Sequence, residues 1–370
     1  MKRILIFSLA YYPHVGGAEV ALKELTDRLT DIEFMLITLR MEGEPTEERM
    51  GNVQLYRAGN GDSYLSKILF IPRAAYLAVR LHQARPFDAL WAMMSYMLFP
   101  IVLLRIVGVR LPYLLTLQDG DPFERVFRRP HILPFLPLLR YGFRRAAAVQ
   151  TISTHLAGWA RRMGFTGPLE VIPNGVDVAR FTGAPIPHEG TVLITTSRLV
   201  RKNAVDDVLR ALPLVPHTRF RILGTGPDET ALRRLAKSLG VEDRVEFVGH
   251  VGHVGHVDLP RYLHTADIFV RPSRSEGMGN SFIEAMAAGL PVIGTQEGGI
   301  VDFLFDGETG WVVDKDSPEQ IAEAIENILA NPEKVKRVTE NARTLVQEKY
   351  EWCTIAKQMQ GILDRVLAAR

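Results

Sequence analysis

Cysteine is almost absent from this sequence: Cys353 stands alone among 370 residues. One thiol cannot close an internal disulfide, so the fold must rest on buried apolar surface, and a reducing cytoplasm is the expected compartment. Long apolar runs are missing too. The longest uncharged stretch, Ala89–Leu104, has sixteen residues, is interrupted by Pro100 and is closed by Arg105. A helix that spans a bilayer needs about 20. Met1-Lys2-Arg3 and the apolar Ile4–Ala10 open like a secretory signal. That run is only strand length and enters Tyr11-Tyr12-Pro13 without a small-residue cleavage pattern, so a buried first strand is expected. Carboxylates are lacking between Arg125 and Arg162, where eight arginines are interleaved with Phe127, Leu133, Phe135, Leu138 and Phe143. Two readings of that segment stand side by side. One is a solvated loop-and-helix face; the other is a surface for an anionic membrane, each Arg contributing about 1 kcal/mol near the headgroups.

What is present belongs to a globular chain, with 47% hydrophobic and 23% charged residues. The length exceeds one ordinary core, so two domains are expected. Net charge is +2 overall, but residues 1–185 hold 22 basic against 16 acidic groups, and the rest 22 against 26. Short apolar runs alternate with amphipathic stretches throughout. In the first half they fall at Arg3–Ser8, Glu33–Thr38, Val53–Tyr56, Ala89–Met93, Tyr113–Thr116 and Ala148–Thr151. The rhythm restarts at Val192–Thr195 and continues through Arg219–Leu223, Val245–Val248, Ile268–Arg271, Pro291–Gly294 and Gly310–Val313. Such alternation predicts an α/β fold, with parallel sheets wrapped by helices. The Pro- and Gly-rich stretch from Phe181 to Gly190 reads as the linker. The domains expected are 1–182, completed by about 350–370, and 190–349.

The densest chemistry lies between Arg271 and Pro291. A strand ends near Arg271, Gly277 and Gly279 let backbone amides approach a ligand, and a helix begins near Ser281. A phosphate fits amides ahead of a helix N-terminus. Glu276 and Glu284 flank the loop, and carboxylates accept hydrogen bonds from sugar or ribose hydroxyls. Taken alone, Ser281-x-x-Glu284 reads first as a capping box, in which Glu284 merely reaches back to an amide.

The wider pattern resembles glycosyltransferase family four. Glu276, the Gly277-Met278-Gly279 loop, Glu284 and then Ala285-Met286-Ala287 are similar to its Glu-x7-Glu segment. Gly16-Gly17, Pro173-Asn174-Gly175-Val176-Asp177, the basic loop Ser197–Lys202 and Gly224-Thr225-Gly226-Pro227 resemble its other motifs, in the same order. The resemblance implies the GT-B architecture: two Rossmann-like, doubly wound domains facing a central cleft, with the C-terminal helix returning to the first. It implies a retaining enzyme that moves a sugar from a nucleotide-diphosphate sugar to an acceptor hydroxyl, such as a lipid-linked or cell-envelope glycan.

On this resemblance Arg198 and Lys202 would neutralise the departing diphosphate, Glu276 would hold the donor sugar, and Glu284 the ribose. Gly16, Gly17 and the amides of Gly277, Met278, Gly279, Asn280 and Ser281 would cradle the phosphates. Gly249, His250 and Val251 would lie near the base, and Gln118 and Asp119 on the acceptor side. Neither a metal nor another cofactor is expected, and no nucleic-acid partner. Asp119-Gly120-Asp121 and the triplet His250, His253 and His256 imitate metal sites without the spacing or context of one. Two positions depart from the family: Gln118 stands where relatives often carry histidine, and Asn203 where many carry glycine. Gln118 cannot shuttle a proton near neutral pH. The alternatives are a nucleotide-sugar epimerase or phosphorylase on the same fold, or an inactive nucleotide-sugar-binding protein. The expected location is the cytoplasm, with peripheral attachment to the membrane's cytoplasmic face through Arg125–Arg162.

Overall fold

The computed structural model describes residues 1–14, 16–250 and 259–369. The chain forms two compact units, Met1–Asn174 with Trp352–Arg370, and Gly175–Glu351.

The first unit is built on eight strands: β1 (Lys2–Phe7), β2 (Ile32–Leu39), β3 (Glu47–Met50), β4 (Val53–Ala58), β5 (Ala89–Met93), β6 (Tyr113–Leu117), β7 (Ala148–Thr151) and β8 (Leu169–Val171). Their order is β3-β4-β2-β1-β5-β6-β7-β8. All pairs are parallel except β3 with β4. Helices cover both faces, so the central strands are buried on both sides and read as unbroken apolar runs. Ile4 to Phe7 and Ala89 to Met93 are sealed from solvent. The one polar atom of Trp91 is satisfied, its indole Nε1 donating to Thr116 Oγ1 at 2.8 Å. β3 and β8 are additions to the expected set. β3 is a charged edge strand with alternating exposure, and β8 has three half-exposed residues, so neither carries an apolar signature.

The second unit holds β9 (Thr191–Thr196), β10 (Thr218–Leu223), β11 (Val245–Gly249), β12 (Ile268–Arg271), β13 (Val292–Gly294) and β14 (Trp311–Val312). The order is β11-β10-β9-β12-β13-β14, parallel throughout. All six lie where the apolar runs place them. The units part at Asn174/Gly175, upstream of the Pro/Gly-rich stretch. The reason is local packing: the short helix Val178–Phe181 rests on the helix Asn280–Ala288. Beyond it, the Ile186 amide donates to the His264 carbonyl at 2.7 Å.

The C-terminal helix, Trp352–Ala368, belongs to the first unit. Ile355, Met359, Ile362, Leu363 and Val366 recur at helical spacing and join the core formed with Leu22, Leu25, Ile32 and Phe34. No helix among the described residues is long and apolar enough to cross a membrane. Ile362 is fully buried in that core. Ile362→Ala should therefore cost about 2–5 kcal/mol. Urea denaturation should show a lower midpoint for the first unit alone, and an unchanged midpoint would contradict this role for the helix.

Candidate functional site

In an open parallel sheet, ligands gather at the carboxyl ends of strands where the order reverses. In the second unit that point lies between β9 and β12, which are neighbours although two strands separate them in sequence. The loops leaving those two strands carry the basic residues and the paired glutamates. After β9, Arg198 is exposed and Lys202 lies in the short 3-10 turn Arg201–Asn203. After β12, the chain passes through Glu276 and the two glycines to the helix Asn280–Ala288.

Hydrogen bonds weld the two loops together. The Asn203 side chain donates from Nδ2 to the Arg198 carbonyl at 2.6 Å and accepts at Oδ1 from Arg271 Nη2 at 2.9 Å. Arg271 Nη1 donates to Ser281 Oγ at 2.7 Å, and its Nη2 also pairs with the Glu276 carboxylate. A second arginine works alongside. The Arg274 amide donates to the Lys202 carbonyl at 2.7 Å and its Nη1 to the Arg201 carbonyl at 2.9 Å. Its guanidinium pairs with Asp206 at 2.8 Å, Asp207 at 2.7 Å and Asp316 at 2.6 Å. Burial works against the charge of Arg274, but its bonds to Asp206 and Asp316 outweigh this and hold it more firmly protonated than usual. Neither arginine stands out in the sequence as a site residue. The available signal for Arg271 was a charge closing an otherwise apolar strand, five positions ahead of Glu276.

Two glycines show how tightly the loops are packed. Gly298 has φ +63°, and an added Cβ would collide with the Glu276 carbonyl oxygen, which also accepts from the Gly299 amide at 3.1 Å. Gly224, at φ +133°, lies against the Ser197 carbonyl in the same way. Both sites of close approach exclude a side chain.

The helix begins at Asn280, one residue earlier than expected, and its cap is Gly279 in the left-handed region at φ +97°. The capping box of Ser281 and Glu284 therefore does not form: Ser281 Oγ accepts from Arg271, and Glu284 sits in the second turn. Burial pushes the Glu284 carboxyl up to about 7, against the opposing charges of Arg180 and Arg271. Arg180, from the segment after Pro173-Asn174-Gly175, was not anticipated.

Gly16, Gly17, Gln118 and Asp119 belong to the first unit. Gly16 caps the helix Gly17–Arg28, and its amide donates to Glu19 Oε2 at 2.8 Å. That amide is engaged by a capping carboxylate, which places Gly17 at the first helical position. Gln118 Oε1 accepts from Asn174 Nδ2 at 3.1 Å. Asp119, just past β6, is 6% exposed and accepts from Ser95 Oγ at 3.0 Å. Ser95 reaches it because Met94 adopts φ 70°, a strained conformation for a side chain of its size, with its amide donating to the Thr116 carbonyl at 2.8 Å. Burial pushes Asp119 up to about 6, with the Ser95 hydroxyl opposing. Gly249 ends β11, its carbonyl accepting from the Gly224 amide at 2.7 Å. His250 follows; Val251, His253 and His256 lie outside the described residues. Among the described residues, no three His, Cys, Asp or Glu side chains are grouped as metal ligands.

Two Rossmann-like units with loops gathered at strand ends are the architecture of the GT-B class of glycosyltransferase, which other enzymes share. Sucrose-phosphate synthase from Thermosynechococcus elongatus superposes on the chain with a TM-score of 0.88, at 22% identity over 100% of both chains. Anabaena HepE, solved with UDP and glucose, does so with a TM-score of 0.80 at 18% identity, over 98% of this chain and 100% of that one. Residues 15–180 match the profile described as Glycosyltransferase Family 4, and residues 180–345 that described as Glycosyl transferases group 1. The GDP-mannose-dependent alpha-(1-6)-phosphatidylinositol monomannoside mannosyltransferase of Mycolicibacterium smegmatis is 30% identical over 261 residues, 64% of this chain and 68% of that one. The chain belongs to glycosyltransferase family four, and it is an enzyme of sugar transfer from nucleotide-linked donors.

The raised Glu284 pKa carries a stability consequence. The folded state keeps its proton up to about pH 7, whereas the unfolded carboxyl releases it near 4.5. Ionisation therefore penalises folding increasingly as pH rises through that window. Glu284→Gln should gain thermal stability over the wild type between pH 4.5 and about pH 7, read as a difference in Tm that widens through that window and levels off above it. A constant difference would place Glu284 in open solvent.

Proposed function

We propose that the second unit binds the nucleotide-diphosphate sugar and that the first receives the acceptor hydroxyl at Gln118 and Asp119. The observation that carries this is the joining of the Arg198/Lys202 loop to the Glu276–Glu284 loop at the switch point of one sheet. Arg198 and Lys202 bring positive charge to the diphosphate as it departs, which is where preorganised charge lowers a barrier. Glu276 accepts from the sugar hydroxyls and Glu284 from the ribose. The amides of Met278, Gly279, Asn280 and Ser281 serve the phosphates, with Gly249 and His250 toward the base, while the Gly277 amide donates to Glu276 Oε1 at 3.0 Å.

Transfer proceeds with retention. The bond from the anomeric carbon to the diphosphate oxygen breaks, and the acceptor oxygen bonds to that carbon on the same face. The acceptor proton passes to the departing phosphate oxygen. Asp119, ionised above about pH 6, accepts the hydrogen bond that orients the acceptor hydroxyl. Gln118, held by Asn174, fixes the neighbouring position.

The acceptor is lipid-linked, and the first unit meets an anionic membrane. Support comes from a surface more extensive than the arginine segment alone. Leu133, Phe135 and Leu138 are exposed on it, as are Tyr64, Leu65, Ile68 and Leu69 from the start of the helix Tyr64–Ala84. Tyr64 and His131 join the two parts, with ring centroids 5.6 Å apart. Acidic residues just upstream trim the charge: Asp121 pairs with Arg125 at 3.8 Å, and Glu124 with Arg162 at 3.2 Å. Eight arginines against those two acids still leave the segment strongly basic.

Release of nucleoside diphosphate from a panel that includes GDP-mannose and UDP-glucose, with and without membrane lipid extract, tests the reading. Binding without release would instead favour an inactive binding protein. Glu276→Gln should lose transfer while keeping nucleoside diphosphate affinity, and wild-type transfer in this variant would remove Glu276 from the site. The acceptor KM should rise as pH falls through about 6, and Asp119→Asn should flatten that profile. An unaltered profile would separate Asp119 from the acceptor. Low-salt sedimentation should favour anionic over neutral vesicles, and equal binding to both would discard the membrane contact.

A further inference from the structure

Arg271 is an unusual residue to end a core strand. The three residues before it, Ile268, Phe269 and Val270, are fully buried, and Arg271 itself is 8% exposed. A guanidinium taken out of water at such a position needs its charge matched; here both Nη atoms are bonded, while Nε is buried without a partner.

Its partners come from three separate pieces of the unit. Glu276 belongs to the loop after β12, Ser281 to the first turn of the following helix, and Asn203 to the basic turn after β9. The Phe282 ring lies 5.5 Å from the guanidinium carbon and covers it from one side. Asn203 carries the connection onward to the Arg198 backbone. A continuous path of hydrogen bonds thus runs from the loop of one cation, through Asn203 and Arg271, to the Glu276 carboxylate. Asn203 is itself 2% exposed, so neither member of the bridge is a surface contact that water could replace.

We infer that Arg271 is a positioning residue for sugar transfer: with Asn203 it holds the Glu276 carboxylate at a fixed distance from the Arg198/Lys202 loop. This rests on the reading of Glu276 as the group that meets the donor sugar. A planar guanidinium can make several bonds in one geometry, which a lysine cannot reproduce. The carboxylate oriented this way accepts hydrogen bonds and donates none, so the site favours a sugar that presents donor hydroxyls toward Glu276. A residue needed only to fill the core would affect nucleotide binding and transfer alike. A positioning residue lowers transfer more than it weakens nucleotide binding, because Arg198 and Lys202, the cations assigned to the diphosphate, lie on the other loop.

The test uses the full chain, with GDP-mannose or UDP-glucose, whichever the donor panel supports, and GDP or UDP as the binding probe. Arg271→Met should lower kcat about tenfold or more, leaving the nucleoside diphosphate Kd within about threefold. Arg271→Lys should recover part of the loss, since the charge beside Glu276 returns without the fork. Asn203→Gly should lower kcat by a larger factor than it raises Kd, since Asn203 also holds the Arg198 carbonyl. The double variant Arg271→Met with Glu276→Gln should be no slower than the slower single variant, because both act on one carboxylate. Wild-type kcat in Arg271→Met would overturn the inference. So would a loss of nucleoside diphosphate binding that matches the loss of kcat, or multiplicative effects in the double variant. If Arg271→Met does not fold, Arg271→Lys and Asn203→Gly are judged by the same criteria. Should Glu276→Gln alone transfer at the wild-type rate, the donor-site reading fails; impairment there with normal Arg271 variants defeats only the positioning role.

Discussion

A cation buried beside a sheet cannot be left unmatched, and the second unit is organised around that constraint at the end of β12. Arg271 draws a carboxylate, a hydroxyl and an amide oxygen onto itself. Each of these is attached to a backbone segment that would otherwise be an independent loop. The electrostatic requirement of one side chain thereby becomes a geometric requirement on three. Arg274 repeats the device nearer the surface, fastening the turn at Arg201–Asn203 to Asp206, Asp207 and Asp316. Between them the two arginines leave the loops after β9 and β12 little freedom to move apart.

Sheet topology makes this economical in chain length. Because β9 and β12 are adjacent, their outgoing loops begin side by side, and short side chains suffice to connect them. Glycine supplies the remaining closeness. At Gly298 the backbone lies directly against the Glu276 carbonyl, and at Gly224 against that of Ser197, so each loop is backed by a second layer of main chain. Rigid strands, matched charge and backbone-to-backbone packing act in the same direction. Local choices that agree in this way are what give a sequence one well-defined state.

Most of the two sheets was legible in the sequence for a physical reason. Parallel strands covered on both faces must be apolar along their whole length, and runs such as Ile4–Phe7 or Ala89–Met93 have no other simple reading. β3 and β8 were not legible because edge strands need no such run. Glu276, Glu284, Arg198 and Lys202 were singled out by the resemblance to the family's motifs, since residue type and spacing alone left a capped helix and a solvated loop as readings. Whether Ser281 and Glu284 formed a cap could not be read, since that depends on the left-handed conformation of Gly279. Nor could the engagement of the Gly16 amide by Glu19 be foreseen. Arg271 and Arg180 were not legible as site residues, nor was Asn203 as the partner of Arg271, because the contacts that gather them join segments distant in sequence. Arg271 and Asn203 are 68 residues apart, and only the pairing of β12 with β9 brings them within reach.

The helix Trp352–Ala368 has a consequence for how the molecule is made. Its apolar face supplies part of the first unit's core, yet it is reached only after the whole of Gly175–Glu351. A chain emerging from the ribosome therefore has every residue of the second unit available before the first can close its hydrophobic interior. The usual order, in which the leading domain matures first, is inverted, and the nascent first unit must wait with an open apolar face until the helix Trp352–Ala368 has been synthesised.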